Sequence, residues 1–228
     1  MKPKLDDPSG APYIGASILS ADFARLSDEI ADVLNAGVDF IHVDVMDGHF
    51  VPNLSMGPAV CAGVRKAFPD AYLDVHLMVS DPGRWFEPFA KAGADLMTFH
   101  VEACEGDAEA LGHAERIREL GCAAGIAINP PTDQGRIAWI ADRFDLVLAM
   151  SVIPGYSGQS FMPEALERGA LRSELPDSVR LEIDGGVGPA NAEMIRAAGF
   201  DTLAAASAIF GRPRGDRAGV IADLRGPA

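Results

Sequence analysis

The feature that most constrains this chain is an eightfold alternation. Short apolar, β-prone runs occur at Ile14–Leu19, Phe40–Val45, Tyr72–Leu77, Leu96–His100, Ala123–Ile128, Leu146–Met150, Leu181–Ile183 and Thr202–Ala205. Between them lie segments with helical apolar spacing: Asp22–Asn35, Pro58–Ala67, Pro82–Ala92, Ala108–Leu120, Arg136–Ala141, Pro163–Leu171, Pro189–Ala198 and Gly215–Leu224. A β unit followed each time by an α unit calls for a parallel sheet with helical crossovers. Eight is the number that closes such a sheet into a barrel. The β-prone runs are mostly apolar on both faces, as strands are when helices cover one side and packed side chains fill the other. The expected fold class is therefore α/β, a single (β/α)₈ TIM barrel with a parallel eight-stranded core. An open doubly wound sheet is the competing fold, but no Gly-rich dinucleotide turn follows the first run.

Three helix–strand junctions repeat A-G-x-D: Ala36-Gly37-Val38-Asp39, Ala92-Gly93-Ala94-Asp95 and Ala198-Gly199-Phe200-Asp201. Glycine there ends a helix in a left-handed cap, and the next strand starts at once. With 228 residues, 48% of them hydrophobic, the chain suits one core rather than two. Residues 1–11, rich in Pro, Asp and Ser, read as a flexible leader, and residues 12–228 as the barrel.

Charge and cysteine usage narrow the function. A net charge of −14 makes nucleic acid and anionic membranes poor partners. An anionic small molecule is still compatible, because backbone N–H groups bind phosphate without net positive charge. The three cysteines, Cys61, Cys104 and Cys122, form no CxxC and read as buried apolar residues of a cytoplasmic protein. No signal-peptide or membrane-spanning pattern is present in the sequence.

In such a barrel the chemistry sits at the C-terminal strand ends. There, alternation places His42, Asp44 and Met46 on one face, and Asp74, His76 and Met78 on one face of the next strand. The seventh run ends Glu182-Ile183-Asp184. Imidazoles and carboxylates in apolar runs are costly to bury unless paired or bound to a metal. His42, Asp44, His76 and Asp184 suit a divalent ion with mixed N/O ligands; hydrogen-bonded core polar residues are the other reading. After the sixth run, Gly155 and Gly158 let the backbone turn N–H groups towards an anion. Gly185-Gly186 and the stretch through Ser207 to Gly211 add the loops that cradle phosphate in this fold. The four lysines, Lys2, Lys4, Lys66 and Lys91, lie away from every strand end. This excludes a Schiff-base aldolase and a decarboxylase of the D-x-K-x-x-D type.

These motifs, in this order, resemble the ribulose-5-phosphate 3-epimerase family along nearly the whole chain. The matching segments are Ser17 to Phe23, His42 to Gly48, Phe50 to Asn53, Asp74 to Val79, His100 to Ala103, Asn129-Pro130, Met150 to Val152, Pro154-Gly155, Gly158-Gln159 and Asp184 to Val187. The resemblance implies a metal-dependent 3-epimerase interconverting D-ribulose 5-phosphate and D-xylulose 5-phosphate, in pentose-phosphate or carbon-fixation metabolism. It implies one divalent ion (Zn²⁺, Fe²⁺, Mn²⁺ or Co²⁺) on His42, Asp44, His76 and Asp184, with Asp44 and Asp184 as the acid/base pair. Ser17 and His76 would contact the substrate, and Met46, Met78 and Met150 would line the pocket. Gly155, Tyr156, Ser157, Gly158, Gly185, Gly186, Ala206 and Ser207 would hold the phosphate. A homo-oligomer, dimer or hexamer, is also expected.

Four departures distinguish this chain from the family pattern: Ala16 for proline, Ile153 for a polar residue, Tyr156-Ser157 for Phe-Gly, and Ala206 for glycine. The last two touch the phosphate cradle and leave open another ketose phosphate, such as allulose 6-phosphate. A non-catalytic sugar-phosphate-binding barrel is the alternative of another class. Of the remaining polar and aromatic residues, His100 is expected to hydrogen-bond behind the ligands and Asp47 to order its loop. His49 and His113 are expected at the surface, and Trp85 and Trp139 in packing.

Overall fold

The computed structural model describes residues 12–227; the expected leader, residues 1–11, lies outside the described residues. The strands are β1 (Tyr13–Ser17), β2 (Phe40–Met46), β3 (Leu73–Met78), β4 (Leu96–His100), β5 (Ala123–Ile128), β6 (Leu146–Met150), β7 (Arg180–Asp184) and β8 (Thr202–Ala205). They pair in sequence order and close β8 onto β1, all parallel. The α-helices are α1 (Leu26–Asn35), α2 (Pro58–Ala67), α3 (Phe86–Ala92), α4 (Asp107–Glu119), α5 (Gly135–Ala138), α6 (Ala192–Ala197), α7 (Ser207–Phe210) and α8 (Arg214–Arg225). This is the expected (β/α)₈ barrel.

The largest core cluster lies between strands and helices and includes Ile41, Val43, Val75, Phe86, Phe89, Phe99 and Ile117. Inside the barrel, Leu96, Leu146 and Leu148 pack with Ala127 and Met150, and Tyr13 packs on Phe40. The barrel is thus a filled core and not a pore.

The junction aspartates act as clasps at the strand starts. Asp39, Asp95 and Asp201 accept the backbone N–H of Ile14, Leu73 and Leu181 at 2.7, 2.9 and 3.0 Å. Each also pairs with an arginine: Arg225, Arg65 and Arg172. Asp145 repeats the device with Ala124 N–H and Arg118. Each clasp ties together two neighbouring strands, so four of them hold the end of the barrel opposite the candidate site. The preceding Gly37, Gly93 and Gly199 have φ of 98°, 98° and 107°, which a side chain rarely tolerates.

Several expected boundaries move. The helix expected over Pro163–Leu171 is a run of 3₁₀ turns over Pro163–Ser173. Buried Arg168 is drawn to the carbonyls of Ile128, Pro130 and Thr132, and Gly169 lies against the Ala198 carbonyl, where a Cβ would stand 2.0 Å away. Tertiary contacts outweigh local helical preference there. The helix expected from Pro189 starts at Ala192, because Asn191 bonds Gly188 N–H and the Gly186 carbonyl and holds the turn open. Strand β1 stops at Ser17, whose hydroxyl accepts Leu19 N–H and turns the chain.

Candidate metal and proton-transfer site

Register builds the site. Strands β2 and β3 pair His42 with Asp74, Asp44 with His76, and Met46 with Met78. All six point into the barrel and step upward towards its C-terminal mouth. Strand β7 adds Glu182 and, one step higher, Asp184. One ligand atom each from His42, Asp44, His76 and Asp184 lies within 4.8 Å of the other three. The expected four residues from three strands are therefore together. His42 and His76 are wholly buried, Asp44 is 3% exposed, and Asp184 is half-buried.

The contacts converge on Asp44. His42 Nε2 lies 3.2 Å and His76 Nδ1 3.0 Å from Asp44 Oδ1. Ser17 Oγ donates to Asp44 Oδ2 at 2.5 Å. On its far side, His42 Nδ1 contacts Asp74 Oδ2 at 2.6 Å. A carboxylate only accepts, so Nδ1 carries the proton, and in neutral His42 the Nε2 lone pair faces Asp44. That Nε2 makes no hydrogen bond among the described residues. A lone pair and a carboxylate oxygen facing each other in a closed interior call for something positive between them, either a proton on Nε2 or a metal ion. Mixed N/O donors with a carboxylate behind the imidazole are what a divalent ion takes. The residues fit a metal.

The two aspartates differ in proton affinity. Burial and the charge of Asp44 push the Asp184 carboxyl up to about 7, with Asp74 adding to the rise. Burial also acts to raise Asp44, but His42 and His76 outweigh it and hold that carboxyl far below the usual range. His42 goes well above its ordinary value, because Asp44 and Asp74 overcome the effect of burial. Burial brings His76 down to about 4 against the pull of Asp44. Two neighbouring carboxyls pushed apart in this way can serve as base and acid together.

Above the aspartates opens a cleft. It is lined by Ser17, Met46, Met78 and Met150, by Gly155 to Gly158, and by Asp44, Asp184, Gly185, Gly186, Ala206 and Ser207. All the expected cleft residues except His76 meet there. His76 lies with His42 beneath, behind Asp44. Gly186, at φ 64°, has no room for a side chain, since a Cβ would meet Phe161 N at 2.6 Å. The mouth is braced by Asn53 Nδ2 donating to the Gly155 carbonyl (2.7 Å) and Tyr156 Oη donating to the Pro52 carbonyl (3.0 Å). Ser157 and Ser20 share a hydroxyl contact of 2.5 Å. Tyr156 thus turns its polar end to the neighbouring loop.

A sequence profile of the ribulose-phosphate 3 epimerase family matches residues 13–210, nearly the whole barrel. The chain belongs to this family. It is 47% identical over 208 residues to ribulose-phosphate 3-epimerase of Serratia marcescens, covering 88% of this chain and 96% of the relative. The Bacillus subtilis (strain 168) enzyme of the same name is 42% identical over 222 residues, covering 93% and 98%. Among solved structures, 3-keto-L-gulonate-6-phosphate decarboxylase of Vibrio cholerae superposes with a TM-score of 0.70 over 94% of this chain and 96% of that one. At 18% identity it shares the fold alone.

Some of the candidate site's surroundings are not readable from sequence. Asp74 and Glu182 are wholly buried beside His42, and both Glu182 oxygens lack a hydrogen bond among the described residues. Burial and Asp74 raise the Glu182 carboxyl well above its usual range. Strand alternation already aims both residues inward. Asp47 orders its loop as expected, accepting His49, Phe50 and Ser80 N–H groups. His113 is half-buried on α4: it lies near Glu109 of the same helix and packs edge-on against Phe86 and Phe99. Trp139 is not a packing residue: it is 87% exposed, because α5 is only four residues long and turns it outward. The three cysteines are buried and form no disulfide among the described residues. Among the described residues no helix is long and apolar enough to cross a membrane.

Proposed function

We propose that this chain interconverts D-ribulose 5-phosphate and D-xylulose 5-phosphate by two-carboxylate proton transfer at C3. The observation that carries this reading is the pair Asp44 and Asp184, brought together on the floor of one cleft. The C3 proton of a 2-ketose is acidic because the neighbouring carbonyl takes up the charge as an enediolate. Ionised Asp44 removes that proton from one face, and protonated Asp184 returns one to the other. Afterwards the two carboxyls have exchanged protonation, which is the state from which the reverse reaction starts.

His42, Asp44, His76 and Asp184 would hold one divalent ion of the Zn²⁺, Fe²⁺, Mn²⁺ or Co²⁺ type. Bound there, it supplies Lewis-acid stabilisation of the charge that develops on the sugar oxygens, several kcal/mol in comparable sites. Ser17 holds Asp44 in place through Oδ2. Met46, Met78 and Met150 give the reacting carbons an apolar wall that does not compete for protons. Backbone N–H groups of the Gly155–Gly158 and Gly185–Gly186 turns, with Ser207, receive the phosphate.

The test is proton exchange. Incubation with ribulose 5-phosphate in D₂O should place deuterium at C3 of both epimers, read by NMR. A protein that binds the sugar without exchange would be the non-catalytic barrel.

A further inference from the structure

Behind the site, a chain of three side chains leads from Asp44 to the loop after β5. His76 Nδ1 is 3.0 Å from Asp44 Oδ1. On the other side of the same ring, His76 Nε2 is 2.8 Å from His100 Nε2. His100 Nδ1 is 3.2 Å from Glu102 Oε2. The other Glu102 oxygen accepts Asn129 N–H at 2.8 Å. Both rings are wholly buried, they stack at 5.0 Å, and Phe50 covers His100 at 4.9 Å.

Two neutral imidazoles bring two protons to three contacts, so one contact goes without. If the protons lie between the two rings and between His100 and Glu102, His76 Nδ1 is bare and faces Asp44. If they lie at Asp44 and between the rings, His76 Nδ1 is blocked, and His100 Nδ1 faces the Glu102 carboxylate with no proton between them. Glu102 only accepts, and its second oxygen is already held, so it excludes the second order. A third order, with protons at Asp44 and at Glu102, leaves two bare nitrogens facing each other 2.8 Å apart between the rings, so with a cation beside Asp44 the first order remains.

We propose that Glu102, acting through His100, is a positioning residue that fixes the His76 tautomer and leaves Nδ1 free for a divalent cation. This rests on the metal reading above. Outer partners of a ligating imidazole act in this way in metal sites generally.

Glu102→Gln tests it, because the amide has one oxygen and one NH₂. Asn129 N–H takes the oxygen, and the NH₂ is left facing His100 Nδ1. The proton order then inverts and His76 Nδ1 becomes protonated. The variant is expected to bind Zn²⁺ roughly 10- to 100-fold more weakly in a chelator competition. Long-range ¹H–¹⁵N NMR of the metal-free proteins should show His100 protonated at Nδ1 in the native chain and at Nε2 in the variant. A purely structural role for Glu102 would not move that proton. Native-like Zn²⁺ affinity in the variant, or a native His100 protonated at Nε2, would overturn the proposal. The native spectrum decides even if the variant does not fold. A native protein that binds no Zn²⁺ while showing the expected tautomer would sink the metal reading and leave the relay standing.

Discussion

Replacing Asp184 by asparagine separates chemistry from folding. Without metal, burial and Asp44 push this carboxyl up to about 7. In the metal-free chain it is therefore partly a neutral acid near neutral pH, and asparagine is close to that form in shape and charge. The substitution also removes the repulsion of Asp44, so the barrel should keep its Tm or gain slightly. Catalysis should fare differently. A positioned acid or base contributes about 10²–10⁴-fold, and Asp184 is also one of the four candidate metal ligands. Turnover should fall at least about 10³-fold, which corresponds to ~4 kcal/mol of barrier. The assay is epimerisation of ribulose 5-phosphate at saturating metal, with metal content and Tm measured on the same sample. Turnover within tenfold of native, in a folded and metal-bearing variant, would refute the acid/base assignment.

Other expectations concern stability and the cleft. Buried Arg217 pairs with Glu29 and Asp32 at 2.8 and 3.0 Å and joins α8 to α1. Arg217→Ala should cost about 3 kcal/mol, since it leaves a buried Glu29 less compensated; calorimetry showing a loss under ~1 kcal/mol would contradict this. Burial acts to raise Glu102, but the bonds from His100, Thr132 and Asn129 N–H hold it at about 2. Against about 4.3 in the unfolded chain, its contribution is complete above that pH and lost as pH falls towards 2. It should be on the order of 2 kcal/mol in urea titrations, and an acid limb unchanged in Glu102→Gln would speak against it. Ala206 brings a Cβ to the cleft wall, so Ala206→Gly should lower KM for ribulose 5-phosphate a few-fold with kcat unchanged; an unchanged KM would remove the cradle argument.

The fold was legible because local signals agreed. Strands buried on both faces read as plain apolar runs, and the A-G-x-D junctions marked where helices stop. The segment Pro163–Ser173 was not legible, since its shape depends on Arg168 reaching carbonyls about 40 residues away. Of the site, period-two alternation put His42, Asp44 and His76 inward, while their assembly with Asp184 required the barrel to close. The partners of the two candidate ligand imidazoles were harder to see. His42 meets Asp74 across 32 residues and His76 meets His100 across 24, and only the register between neighbouring strands brings each pair into contact. The arginine on each junction aspartate was likewise invisible, because Arg225 reaches Asp39 from the other end of the chain.

The most direct measurement is an anomalous-difference crystal structure of the protein loaded with Mn²⁺ or Zn²⁺ and a ketose-phosphate analogue. The account predicts a single anomalous peak among His42 Nε2, His76 Nδ1 and the Asp44 and Asp184 oxygens, with the carbon matching C3 lying between the two carboxyls. A peak elsewhere, or a sugar bound with C3 out of reach of either aspartate, would contradict it.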